Sequence, residues 1–150
     1  MTENIEDCLA GQGFYVSTTV GMSMWPMLKN RRDRIVIRPV GDRELCRWDV
    51  PLYRRPDGKY VLHRILRVKE DHFVIRGDNT YALEHVPKEW VIGYLAEFYR
   101  KGKHVTADSR GHRCYAALWQ GIYPMRRLLV WMRRLAGKCK RALLPKNKNK

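Results

Sequence analysis

Three short segments of this sequence carry side chains of the types that perform hydrolysis together. The first, Gly21-Met22-Ser23-Met24-Trp25-Pro26-Met27-Leu28, breaks a β-like run with glycine and proline. A nucleophilic serine needs such a break, because its hydroxyl must project from a turn whose N–H groups can face a developing oxyanion. Gly21 relaxes the steric limits ahead of Ser23, and Pro26 fixes the chain direction after it. The second segment is Val61-Leu62-His63-Arg64-Ile65, where His63 interrupts a strand suited to burial. Imidazole, with an ordinary pKa of about 6.5, is the natural general base near pH 7. The third is Ile75-Arg76-Gly77-Asp78-Asn79, a strand running into a turn. There Asp78 either orients an imidazole or closes the turn on backbone N–H groups. Each piece alone is ordinary. Turn serines and strand histidines are mostly structural.

The elements that must position these groups are strands. Residues 14–20, 34–38, 50–54, 60–69, 72–76 and 91–99 are short runs rich in β-branched and aromatic types, separated by turn residues. Pro56-Asp57-Gly58 is the clearest turn, since proline presets φ and glycine tolerates a positive one. The spacing predicts a mainly β domain, all-β or barrel-like, over residues 14–100, after an N-terminal segment at 1–13. Residues 101–123 read as a polar linker or loose hairpin. From Pro124 the apolar residues Met125, Leu128, Leu129, Met132, Leu135, Ala136, Cys139, Ala142 and Leu143 form one stripe of an amphipathic helix within 124–150. Pro124 suits its first turn and Pro145 its stop.

Charge divides the chain in the same place. Residues 1–100 hold 16 Lys and Arg against 14 Asp and Glu, whereas residues 101–150 hold 14 against 1. Of the net charge of +15, the tail therefore carries +13 and the first hundred residues +2, and a DNA-binding surface spread over the whole fold is disfavoured. No apolar run reaches the roughly 20 residues of a spanning helix. The acidic N-terminus, with Glu3, Glu6 and Asp7, does not read as a signal peptide. Cys8, Cys46, Cys114 and Cys139 lie far apart, and His112-x-Cys114 is the one close His/Cys pair. That spacing predicts reduced thiols, no metal and no cofactor.

Taken in order, the Ser23 turn with Met24 and Pro26, then His63-Arg64-Ile65, then Gly77-Asp78-Asn79 resembles the signal peptidase I superfamily, which includes the self-cleaving repressors. The likeness covers about residues 15–98. It implies the β-barrel or β-sandwich of that superfamily, with the amphipathic helix as an appendage. It also implies a serine endopeptidase of the Ser/His type, cutting a leader or precursor peptide. Ser23 would attack the scissile carbonyl, His63 would move the proton, and the backbone at Gly21 and Ser23 would serve the oxyanion. Asp78 is the candidate to orient or charge-stabilise the imidazole, with Asp33, Asp49 and Asp57 competing. Many relatives carry a further acidic residue shortly after the Gly-Asp-Asn turn, and Glu84 is the one available here.

Two further expectations concern partners. Met24, Trp25 and Pro26, with Met27 and Leu28, would touch substrate or membrane, as the loop after the serine does in relatives that dip into a bilayer. Arg126, Arg127, Trp131, Arg133 and Arg134 would hold the helix on an anionic membrane surface, with nucleic acid as the alternative ligand of the tail. The simplest location is the cytoplasm or the inner face of its membrane. A second version keeps the fold and loses catalysis, or cuts only itself at Ala10-Gly11.

Overall fold

The computed structural model describes residues 4–128 and Met132. Its frame is a long strand, β8 (Val91–Arg100), flanked on both sides by shorter ones. One flank pairs with β2 (Arg34–Arg38), and beyond β2 lies β1 (Tyr15–Thr18). On the other flank, β3 (Pro51–Arg54) takes the first half of β8 and β9 (Lys103–Thr106) the second, with β4 (Tyr60–Leu62) outside β3. The order is thus β1-β2-β8-β3-β4, every pair antiparallel. Register shifts at Val36/Ile37 and Leu52/Tyr53 mark bulges, which bend a strand and increase its twist. The sheet curls into a half-barrel. A second antiparallel sheet runs β5 (Arg64–Val68), β6 (His72–Arg76) and β7 (Glu84–Pro87). The chain is mainly β.

Alternation explains the packing. In β2 the Arg-Ile-Val-Ile-Arg run buries Ile35 and Ile37 and exposes both arginines. The two isoleucines join Met24, Met27, Leu28, Val50, Leu52, Leu95 and Phe98 in the larger core cluster. A second cluster, including Tyr53, Ile65, Phe73, Ile75 and Val86, fills the space around the small sheet. The Pro-Asp-Gly turn forms as expected. Gly58 sits at φ 81°, and the Lys59 N–H donates to the Asp57 carboxylate at 3.1 Å.

Three parts of the chain differ from the sequence expectation. The N-terminal segment contains a helix, α1 (Ile5–Gln12), capped by the Asn4 side chain and closed by Gly13 in the left-handed conformation. Residues 101–123 hold the hairpin, one of the two expectations for this stretch, and a helix in place of a linker. Lys101 and Gly102, both at positive φ, turn β8 into β9, and helix α2 (Arg110–Gly121) follows with His112 and Ala116 buried. Their one-turn spacing gives this stretch an inward face despite its polar composition. Residues 60–69 are not one strand either, since the chain leaves the large sheet at Leu62 and enters the small one at Arg64.

The chain divides into two compact units after Ala117. In the second, residues 123–128 and Met132 are helical, with Pro124 in the first turn as its fixed φ favours. The remainder of the expected 124–150 helix, including Trp131, Arg133 and Arg134, lies outside the described residues. Among the described residues no helix is long and apolar enough to cross a membrane.

Candidate active site

Ser23 stands in the turn that follows β1, and the turn is anchored from beneath. Met24, Met27 and Leu28 are buried in the larger core cluster. Gly21 adopts φ 103°, a conformation that favours glycine, and its N–H donates to Asn30 Oδ1 at 2.9 Å. Gly21 therefore shapes the turn and has no N–H to spare for an oxyanion. The Ser23 N–H donates to no protein acceptor among the described residues.

Asn79 fastens this turn to the end of the small sheet. Its backbone N–H donates to the Ser23 carbonyl at 2.7 Å and its side-chain amide to the Met22 carbonyl at 3.2 Å. Gly77, two residues earlier, makes the approach possible. A Cβ there would stand 2.7 Å from the Ser23 carbonyl oxygen and 3.0 Å from His63 Nε2. The serine turn and the imidazole edge thus meet over a missing side chain, with Ser23 O and Nε2 within about 6 Å of each other. Gly77→Ala is expected to cost about 1–3 kcal/mol, as overpacking does, which denaturant titration checks.

His63 occupies the break between β4 and β5 and is buried. Its Nδ1 lies 3.0 Å from Glu84 Oε1, at the start of β7. Glu84 is itself held. Its Oε2 accepts from the Tyr53 hydroxyl at 2.9 Å and from Arg55 at 2.6 and 3.1 Å. The Tyr53 hydroxyl also lies 3.4 Å from His63 Nδ1. With Nδ1 donating to a carboxylate, Nε2 keeps its lone pair and faces Gly77 and the serine turn.

The charges follow from this arrangement. Burial draws the His63 pKa below its ordinary value, with Glu84 working the other way. Burial would lift the Glu84 carboxyl, but hydrogen bonds from Arg55 and Tyr53 prevail and hold it below the usual range. Burial, then the bond to Glu84, raises the Tyr53 hydroxyl. At neutral pH the set is a neutral imidazole on an ionised carboxylate, the state a general base needs.

Asp78 does something else. Its two oxygens take Arg64 Nε and Nη2, each at 2.8 Å, and both side chains are fully buried. The same guanidinium reaches the Trp48 carbonyl at 2.9 Å, Met27 Sδ at 2.9 Å and His112 Nε2 of α2 at 3.4 Å. Burial foremost, then the Arg64 charge, pushes His112 down to about 4, so it meets that cation neutral. Of the two roles expected for Asp78, orienting or charge-stabilising the imidazole, its pairing with Arg64 leaves the second, since its charge still favours the protonated His63; Glu84 holds the imidazole. The other candidates are committed elsewhere, Asp33 to Arg32 and the Lys29 N–H, Asp49 to Arg43, Arg113 and the Cys46 N–H, Asp57 to Lys59.

Ser23, His63, Glu84 and Arg55 line one cavity of about 550 Å³ with an apolar wall that includes Met24, Ile35 and Leu52. Strands β1 and β4, the two ends of the large-sheet order, both border it. Around Ser23 the exposed apolar residues are Val20, Met22 and Trp25. Of the residues expected to touch substrate or membrane, Met27 is core, and Met24 and Leu28 are buried from solvent yet line the cavity, because the turn folds them inward. Pro26, joined by a cis peptide to Trp25, is half-buried.

In the second unit the Arg126 guanidinium stacks 3.9 Å from the Trp119 ring centroid, and Arg127 is exposed. Among the described residues Cys8, Cys46 and Cys114 form no disulfide. No protein-family model matches the chain, and no curated protein matches it either.

Proposed function

We propose that this protein is a serine endopeptidase in which Ser23 is the nucleophile, His63 the general base and Glu84 the residue that positions the imidazole. The observation that carries the reading is His63 itself. It is held through Nδ1 by an ionised carboxylate and turned through Nε2 to the serine turn, inside a cavity open to a peptide. Ser23 Oγ attacks the scissile carbonyl as His63 Nε2 takes its proton, and Glu84 stabilises the imidazolium. The free Ser23 N–H receives the oxyanion. His63 then protonates the leaving amine, and a water activated by the same nitrogen releases the acyl group. The edges of β1 and β4 are suited to an extended substrate backbone, with side chains entering the apolar wall. The motif order and its resemblance to the signal peptidase I superfamily support the same reading, with a leader or precursor peptide as substrate.

Self-cleavage at Ala10-Gly11 fits less well, because both residues lie within α1 and a protease binds its target extended. For the tail we propose an anionic membrane surface at the cytoplasmic face. Leu118, Ile122, Met125 and Leu128 are exposed at helical spacing beside Arg126 and Arg127. Nucleic acid is less favoured, because Arg126 covers a face of Trp119 that a base would need.

Cleavage of a peptide library with anionic vesicles present, read by mass spectrometry, tests the enzyme reading. Wild type is expected to cut, with Ser23→Ala and His63→Ala both silent. Activity should be full at pH 7 and fall as the pH drops through the lowered His63 pKa, so the acid limb lies below about 6.5. Cleavage that survives both substitutions would sink the proposal.

A further inference from the structure

A second group of histidines lies outside this site. His72 opens β6, and His85 is the second residue of β7. They stand diagonally across the ladder, His72 opposite Pro87 and His85 opposite Val74. Their facing nitrogens, His72 Nε2 and His85 Nδ1, are 3.2 Å apart. The remaining nitrogen of His72, Nδ1, lies 2.6 Å from Asp71 Oδ1. An ionised carboxylate only accepts, so Nδ1 carries the proton and Nε2 is left as a lone pair aimed at His85. His85 is exposed and His72 half-buried, so solvent reaches the gap between them.

We propose that Asp71, His72 and His85 form a binding site for one divalent transition cation of the kind that prefers imidazole, such as zinc. His72 Nε2 and His85 Nδ1 are the ligands, and Asp71 is the positioning residue. The geometry carries this. At metal–nitrogen distances of about 2.0–2.1 Å, two nitrogens 3.2 Å apart subtend about 100° at the ion, within the range of tetrahedral and octahedral shells. A carboxylate on the far nitrogen of a ligating histidine is the usual outer-shell partner, fixing tautomer and ring orientation. The His72 Nε2 lone pair now accepts from the Nδ1–H of His85; the cation takes that proton's place, and the His85 proton moves to Nε2 as the ring changes tautomer. Among the described residues no group of three or more His, Cys, Asp or Glu could hold a metal. The protein thus supplies two nitrogens and leaves the rest of the shell to water, as an exchangeable site does and a structural zinc does not.

The test is a zinc titration of the whole chain, followed by the ¹H–¹⁵N resonances of its five histidines. The His72 and His85 signals are expected to move together and saturate at one zinc per chain, ahead of His104, an exposed imidazole beside Glu97 and Tyr99. His85→Ala should weaken binding at least tenfold. Asp71→Asn should weaken it about tenfold, in line with the loss of an outer-shell partner, with the far-ultraviolet spectrum unchanged in both variants. Zinc that shifts His72 and His85 no sooner than His104, or an affinity indifferent to His85→Ala, would overturn the site and leave a hydrogen-bonded pair.

Discussion

Glu84→Gln is expected to lower kcat by about 10⁴-fold while leaving the protein folded, the size of loss seen when the carboxylate behind a catalytic histidine becomes an amide. The reason is the tautomer. In the native arrangement Nδ1 donates to Glu84 Oε1, so Nε2 is free to accept the serine proton. An amide in that place can offer its own N–H to Nδ1, and the imidazole proton then moves to Nε2, where it blocks the base. The charge that stabilises the imidazolium is lost as well. Arg55 and Tyr53 would lose a strong acceptor, but Arg55 is partly solvated and water can replace the bond. The loss should appear mainly in kcat, since the carboxylate acts through the imidazole. Steady-state kinetics on the best library peptide, with a melting curve, separate these effects. If Asp78→Asn reproduced the loss in a folded protein and Glu84→Gln did not, the assignment of Glu84 would fail.

The largest effect on stability belongs to Arg64 and Asp78. Both side chains are fully buried, and removing one partner strands the other charge in the interior at a cost of about 3–5 kcal/mol. Arg64→Met is expected to fall in that range, because the guanidinium also serves the Trp48 carbonyl, Met27 and His112. Replacing both partners with apolar residues of similar volume should recover much of the loss. An exposed control such as Arg34→Ala should stay within about 0.5 kcal/mol. Denaturant titrations of the four proteins decide the matter. Equal, small changes at Arg64 and Arg34 would show that the buried pair does not organise the core.

The sequence displayed the parts whose signal is local. The run at 34–38 alternates, and β2 follows it residue for residue. Pro56-Asp57-Gly58 turns as its dihedral preferences require. Ser23, His63 and the Gly-Asp-Asn turn were legible as chemistry. What escaped depends on distant partners. Nothing near Asp78 says that Arg64, fourteen residues earlier, will take both its oxygens. Nor does Glu84 announce Tyr53 and Arg55, contributed by the end of β3 and the residue after it, about thirty positions away. The period across 60–69 reads as one strand, because the change of sheet at His63 alters the pairing without altering composition. Helix α1 was local and was missed, although Asn4 and Gly13 bracket it with good capping types. The stretch 101–123 looked like a tether because its charge hides the inward His112 and Ala116.

The crossing at His63 has a consequence for how the molecule would respond to force or heat. Ser23 travels with the half-barrel, whose core anchors its turn, whereas Glu84 and Gly77 belong to the three-stranded layer. The imidazole hangs on the single covalent step from one to the other. On the proposed mechanism turnover would gauge the spacing of two layers, and a slip between them too small to expose the core would still part His63 from Ser23.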